Sequence, residues 1–243
     1  MRLLIPCMKC FEEHGRPSSE FTRVEFRDDG RYELTCSLGH ETTTVLQQQK
    51  FEILFDIGAH AILDGYYREA VSSFTSSLER FYEFAIRVFL ERSSKSDGLF
   101  QSCWKKVSSL SERQMGAFVF LWASNFGEVP DLLSNSQVTF RNDVIHKGKI
   151  PTKEEAISYG NAVLAVLRPK MLTIREKLPD EVQKIIFYHL RDSRPESDQG
   201  RQVSTMCAST ILSLSSGEQS HHQKPLEEHL VQLIEWRRRS DGI

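Results

Sequence analysis

Two hydrophobic periods divide the chain. Up to about residue 44, apolar positions alternate with polar ones: Val24 and Phe26, then Tyr32 and Leu34, flank Asp28-Asp29-Gly30, which predicts a β-hairpin turning at the Asp-Gly pair. From Thr44 the period lengthens to three and four. Leu46, Phe51, Leu54, Phe55 and Ile62 form one helical stripe that ends near Asp64-Gly65. Ala70, Phe74, Leu78, Phe81, Ala85 and Val88 or Phe89 form a second stripe, which predicts a long bundle helix from Tyr66 to Arg92 with its aromatics in the core.

Past the polar loop Ser93 to Gly98, a short helix carries Phe100, Cys103, Trp104 and Val107, and Ser111-Glu112-Arg113-Gln114 reads as a capping box that starts another, with Phe118, Leu121 and Trp122. Pro130 and Ser134-Asn135-Ser136 mark a loop before a helix over Gln137 to His146, which Lys147-Gly148 stops. Pro151-Thr152-Lys153-Glu154 starts a long helix in which Pro169 is expected to produce a kink or break. Val182, Ile185, Ile186 and Leu190 suggest one more helix before a polar stretch, Asp192 to Gln202, and Leu226, Leu230, Leu233, Ile234 and Trp236 suggest a terminal amphipathic helix. The expected architecture is mainly α: a small β-ribbon over 1–44, an up-and-down helical domain over 45–195 and a C-terminal helical extension over 196–243.

Composition narrows the function classes. The 243 residues are 40% hydrophobic and 26% charged with a net charge of -2, so no global basic field advertises nucleic acid, and any such contact rests on local clusters. Arg237-Arg238-Arg239 is one such run, which reads first as a solvated helix end and second as a contact for RNA phosphate. No signal peptide and no membrane span is expected, because Leu3 to Ile5 is too short and no apolar run approaches the required length. Three of the five cysteines fall within the first thirty-six positions, which suits metal ligation in a reducing cytoplasm better than a disulfide framework.

Those cysteines have ligand spacing. Cys7-x-x-Cys10 and Cys36-Ser-Leu-Gly-His40 make two two-ligand knuckles, and three thiolates with one imidazole are the donors that tetrahedral Zn²⁺ prefers. His14 is the rival fourth ligand, and a redox Cys-x-x-Cys is the rival chemistry, lacking the βαβ context it needs. Four protein ligands leave no position for water or substrate, so such an ion holds the fold rather than acting as a Lewis acid. The apolar face of the ribbon is too narrow to fold unaided, which makes a cross-link physically expected. Cys103 and Cys207 have no partner at ligand spacing and read as buried small hydrophobes; His60, His189, His221 and His222 read as structural or exposed.

The densest polar constellation is Phe140-Arg141-Asn142-Asp143-Val144-Ile145-His146-Lys147-Gly148. Asn142 and His146 lie four apart on one helical face, where a hydrogen bond would orient the imidazole. Arg141 and His146 lie five apart, about 140° around the axis, so they converge only if the arginine wraps or a second subunit completes the site. A buried Arg, Asn and His on one helix equally suit a polar network that merely pins packing.

Arg141-Asn142 to His146 resembles the Arg-x-x-x-x-His motif of the HEPN ribonuclease domains, and the preceding bundle helices and the Lys-Gly stop look like the HEPN arrangement across roughly Tyr66 to Lys177. The resemblance implies a HEPN-like bundle, a homodimer with a composite site, an RNA substrate, and a setting in toxin–antitoxin, abortive-infection or other antiphage defence with an antitoxin or defence partner. It implies catalytic roles for Arg141, Asn142 and His146 without a catalytic metal. Imidazole moves protons near neutrality and guanidinium grips a phosphate, so attack by an RNA 2′-hydroxyl would leave a 2′,3′-cyclic phosphate and a 5′-hydroxyl. Glu79 and Glu83 are placed to approach Arg141, though each also reads as an ordinary helix charge. Two other classes stay open: a catalytically silent HEPN module binding RNA, nucleotide or protein, and a zinc-ribbon nucleic-acid adaptor with a helical dimerisation domain.

Overall fold

The computed structural model describes residues 3–15, 21–93, 98–194, 200–217 and 220–240; the middle of the Ser93–Gly98 loop, part of the Asp192–Gln202 stretch and the side chain of Arg239 lie outside the described residues. The chain is mainly helical and divides into two compact units. One comprises residues 1–48, 186–209 and 234–243; the other comprises 49–185 and 210–233.

In the first unit, strand β1 (Leu3–Pro6) pairs antiparallel with β2 (Phe21–Val24), and helix α1 (Met8–His14) lies between them in sequence. Strands β3 (Arg31–Thr35), β4 (Glu41–Leu46) and β5 (Gln202–Met206) make a second sheet in the order β3-β4-β5, antiparallel then parallel. The predicted turn exists: Gly30 adopts φ +63° and donates to the Arg27 carbonyl. The predicted hairpin does not, because the strands on either side of that turn join different sheets. The reason lies in β4, whose Thr42 to Leu46 are all buried and whose two edges take β3 and β5. Gln202–Met206, expected to belong to a helical extension, is therefore a strand, a form that its Val203-Ser204-Thr205 composition favours once an edge is offered. Arg201 ties the sheet further, reaching Glu33 at 2.9 Å and Glu41 at 3.2 Å.

The second unit is a helical bundle built around α3 (Tyr67–Ser93), which packs against α2 (Lys50–Leu63), α4 (Leu99–Val107), α5 (Ser111–Phe126), α6 (Asn135–His146) and α7 (Lys153–Lys177). Helices α8 (Pro179–Ser193) and α9 (Leu226–Ser240) each cross a unit boundary. Every residue of the α3 stripe is buried, and Phe51, Phe55, Phe118 and Trp122 from α2 and α5 pack against the α3 rings, mostly edge-on or tilted. Each such ring removed from water contributes about 1.5–3 kcal/mol. Two glycines permit this closeness: a Cβ on Gly58 would stand 2.6 Å from Phe74, and one on Gly160 would stand 2.5 Å from Leu226. α7 runs through Pro169 unbroken, with Lys170 and Thr173 bonding back to the Val166 and Pro169 carbonyls. α5 begins at Ser111 as expected, but its N-cap is Leu110 and no capping side chain is engaged.

Residues 210–217, expected to lie in the same extension, instead run as irregular backbone in this unit, with Ile211, Leu212 and Leu214 buried, and His221–Gln223 form a short 3-10 helix. Buried irregular backbone must find partners. Asp56 accepts from the Ile211 N–H and Glu52 from the Leu214 N–H, both at 2.9 Å, while Arg175 donates to the Ser216 carbonyl and Arg168 to the carbonyls of His222 and Lys224. Burial pushes the Glu52 carboxyl up to about 7 and, with the Glu52 charge adding, the Asp56 carboxyl up to about 8. Of the histidines expected to be structural or exposed, His189 donates to the Leu46 carbonyl, His221 to that of Thr210 and His222 to that of Ser216, and His60 is buried.

Candidate functional site

The N-terminal cluster forms where strand ends meet. β1 delivers Cys7 to the N-cap of α1, whose first turns carry Cys10, and the turn between β3 and β4 carries Cys36 and His40. The Cys36 N–H donates to the His40 carbonyl and the Gly39 N–H to the Cys36 carbonyl, while Gly39 takes φ +80°, so the chain reverses tightly between the two ligands. The three sulfurs and the imidazole nitrogen all lie within 4.8 Å of one another. Cys10 Sγ stands 3.8 Å from Cys36 Sγ, and His40 Nδ1 lies 3.2 Å from Cys10 and 3.8 Å from Cys7. A tetrahedron with metal–sulfur bonds of about 2.3 Å has edges of about 3.8 Å, so the group can hold a metal such as zinc.

Electrostatics point the same way. Burial, joined by the Cys7 and Cys36 thiols, pushes the Cys10 thiol up to about 12. Burial also opposes the Cys36 thiolate, but N–H groups of His40 and Leu38 aimed at its sulfur, with Cys7 and Cys10, hold it below the ordinary thiol range. Thiols crowded in this way lose their protons together only when a cation joins them. Glu13, which sequence reasoning passed over, lies 3.2 Å from His40 Nε2 and leaves Nδ1 facing the sulfurs, the carboxylate–histidine pairing that orients metal ligands. Its signal was helical spacing: Glu13 falls one turn after Cys10 on α1. His14 stands outside the cluster. Cys103 and Cys207 are exposed rather than buried, Cys103 because α4 buries none of its residues.

The polar constellation lies on α6. Ser134 caps it, its hydroxyl accepting from the Gln137 N–H, and it stops where the Lys147 and Lys149 N–H groups both donate to the Asp143 carbonyl and Gly148 takes φ +75°. Lys149 then pairs with Glu155 at 2.7 Å, within the capping box that starts α7 at Thr152. Arg141 is half-buried, its Nε enclosed without a hydrogen-bond partner among the described residues, and its charge acts on Glu79, Tyr82 and Tyr159. Burial raises the Glu79 carboxyl, while Arg141 and then Arg80 draw it down. Glu83 instead pairs with Arg80 at 2.6 Å and Arg87 at 3.2 Å. Asn142 is half-buried and His146, the last residue of α6, is exposed. Among the described residues, no hydrogen bond or ion pair joins any two of Arg141, Asn142 and His146, so the Asn142–His146 bond is not formed within one chain.

Compared with known protein families, with curated proteins and with solved structures, the chain matches none. No described helix is long and apolar enough to cross a membrane.

Proposed function

We propose that the chain is an endoribonuclease of HEPN type that cleaves RNA through its own 2′-hydroxyl, acting as a homodimer in a defence setting such as a toxin or antiphage effector. The observation that carries this is the arrangement of α6, which holds a half-buried Arg141 under the charge of Glu79 and ends in an exposed His146. In this reading, His146 takes the proton from the 2′-hydroxyl, the 2′-oxygen attacks phosphorus as the bond to the 5′-oxygen breaks, and the resulting imidazolium or water returns a proton to that 5′-oxygen. The products are a 2′,3′-cyclic phosphate and a 5′-hydroxyl. Arg141 stabilises the charge that grows on the phosphoryl oxygens, and Asn142 lines the same site. The five-residue spacing of Arg141 and His146 on α6, with no bond joining them among the described residues, fits a site completed by a second copy.

The Cys7, Cys10, Cys36 and His40 cluster, in the same proposal, binds one zinc ion, which supplies a cross-link to the small unit and no chemistry to the reaction. Free thiols at these spacings suit a reducing cytoplasm.

Cleavage of tRNA, rRNA and mRNA with mapping of the 3′ ends tests the proposal: cyclic phosphate ends are expected, and Arg141→Ala and His146→Ala are expected to abolish them. Cleavage that survives both changes would sink it. The half-burial of Arg141 favours a second reading, a silent module whose arginine only packs. That reading expects no cleavage by the wild type and a loss of helix stability in Arg141→Ala.

A further inference from the structure

α4 poses a question that burial does not answer. It carries Phe100 and Trp104, yet none of its residues is buried, so these rings do not serve the core. They stack on each other instead, 5.5 Å apart at 19°, as the i, i+4 spacing permits. The Arg87 guanidinium lies 4.3 Å from the Phe100 ring centre and the Arg80 guanidinium 5.8 Å from that of Trp104. The order is Arg87, Phe100, Trp104, Arg80. Glu83 bridges the two arginines, and Arg80 also donates to Gln114 at 3.1 Å.

Two properties follow. The guanidinium planes are fixed by rings and by one shared carboxylate, so little rotamer entropy remains to be lost when they meet a ligand. Arg80 and Arg87 share Glu83, and Glu79, the next carboxylate to feel Arg80, is drawn first by Arg141. Exposed Lys105 and Lys106 follow Trp104 directly, and the exposed Arg113 reaches the Lys106 carbonyl, adding positive charge. The ladder also adjoins the candidate site, because Glu79 feels both Arg141 and Arg80.

We propose that Arg80, Arg87, Lys105 and Lys106, preorganised on the Phe100–Trp104 stack, form a docking surface for the phosphodiester backbone of single-stranded RNA, leading the strand toward Arg141. The proposal rests on the RNA-cleaving reading for its choice of ligand. Phe100 is already stacked between Arg87 and Trp104, and Trp104 between Phe100 and Arg80, so the surface reads phosphate rather than base and is indifferent to sequence.

Binding of a fluorescein-labelled single-stranded RNA of mixed sequence, followed by anisotropy across a salt series, tests this in the 243-residue chain carrying His146→Ala, which is expected to prevent cleavage. Adding Arg87→Gln, Lys105→Gln and Lys106→Gln is expected to weaken binding and to reduce the slope of log affinity against log salt by about 2, at about 0.7 per lost phosphate contact. Lys105→Gln with Lys106→Gln alone, both fully compatible with the fold as exposed residues, is expected to reduce it by about 1.4. Unchanged affinity and slope in both variants, or no RNA binding by the parent at low salt, overturns the docking surface. Cleavage that survives in both the His146→Ala and the Arg141→Ala chains overturns the nuclease reading, and because docking is read from binding, the two failures are told apart.

Discussion

Replacing Asp56 by asparagine removes one titrating proton from the core of the helical unit while keeping an oxygen to accept from the Ile211 N–H. Asp56 is 2% exposed, and its carboxyl rises from 3.8 to about 8, first through burial and then through the Glu52 charge. A carboxyl raised on folding keeps its proton in the folded chain and loses it in the unfolded one between those two values. Its favourable contribution is therefore complete below about pH 3.8 and drains away as pH rises through about 8. The loss runs at about 1.4 kcal/mol per pH unit, so between about pH 5 and about pH 8 the wild type should lose about 4 kcal/mol relative to Asp56→Asn. His222 and His229 act in the opposite sense, since burial holds both below the ordinary imidazole value, His229 at about 3. Their effect is common to both proteins and cancels in the difference. Urea unfolding monitored by helical circular dichroism across that pH range measures the difference directly. If the two stability curves run parallel, the loop is not held by a proton-bearing Asp56 and the reasoning fails.

Cys36→Ser is expected to abolish stoichiometric zinc in the purified chain, measured by elemental analysis, and to unfold the small unit while leaving most helical signal; retained metal would refute the cluster. Glu13→Gln should weaken zinc affinity about 10- to 100-fold in chelator competition through the loss of its contact with His40 Nε2, whereas an unchanged affinity would make that contact incidental. Gly160→Ala places a methyl 2.5 Å from Leu226 Cδ2 and 2.9 Å from Phe74, and should cost about 1–3 kcal/mol in denaturant unfolding. Gly116→Ala in α5 meets nothing within 4 Å and should instead stabilise by about 0.5–1 kcal/mol, so equal effects at the two glycines would contradict the packing described.

The sequence by itself determined what depends on near neighbours. The α3 stripe is legible because a helix sets residues three and four apart on one face, and all of Ala70, Phe74, Leu78, Phe81, Ala85, Val88 and Phe89 are buried as that rule requires. The four metal-site residues were legible for a similar reason: a knuckle is a local turn, and its spacing in sequence is its geometry in space. What pairs with what across the chain was decided only by tertiary structure. Strand β5 finds β4 some 160 positions away, β2 leaves the predicted hairpin for β1, and Asp56 meets Ile211, because a strand's partner is chosen by an open edge and buried surface that no local pattern encodes. The Arg-x-x-x-x-His segment falls between the two cases. Its helix and its stop at Lys147-Gly148 were written locally, but the half-burial of Arg141 beside Glu79 and the exposure of His146 were set by how α6 packs on α3.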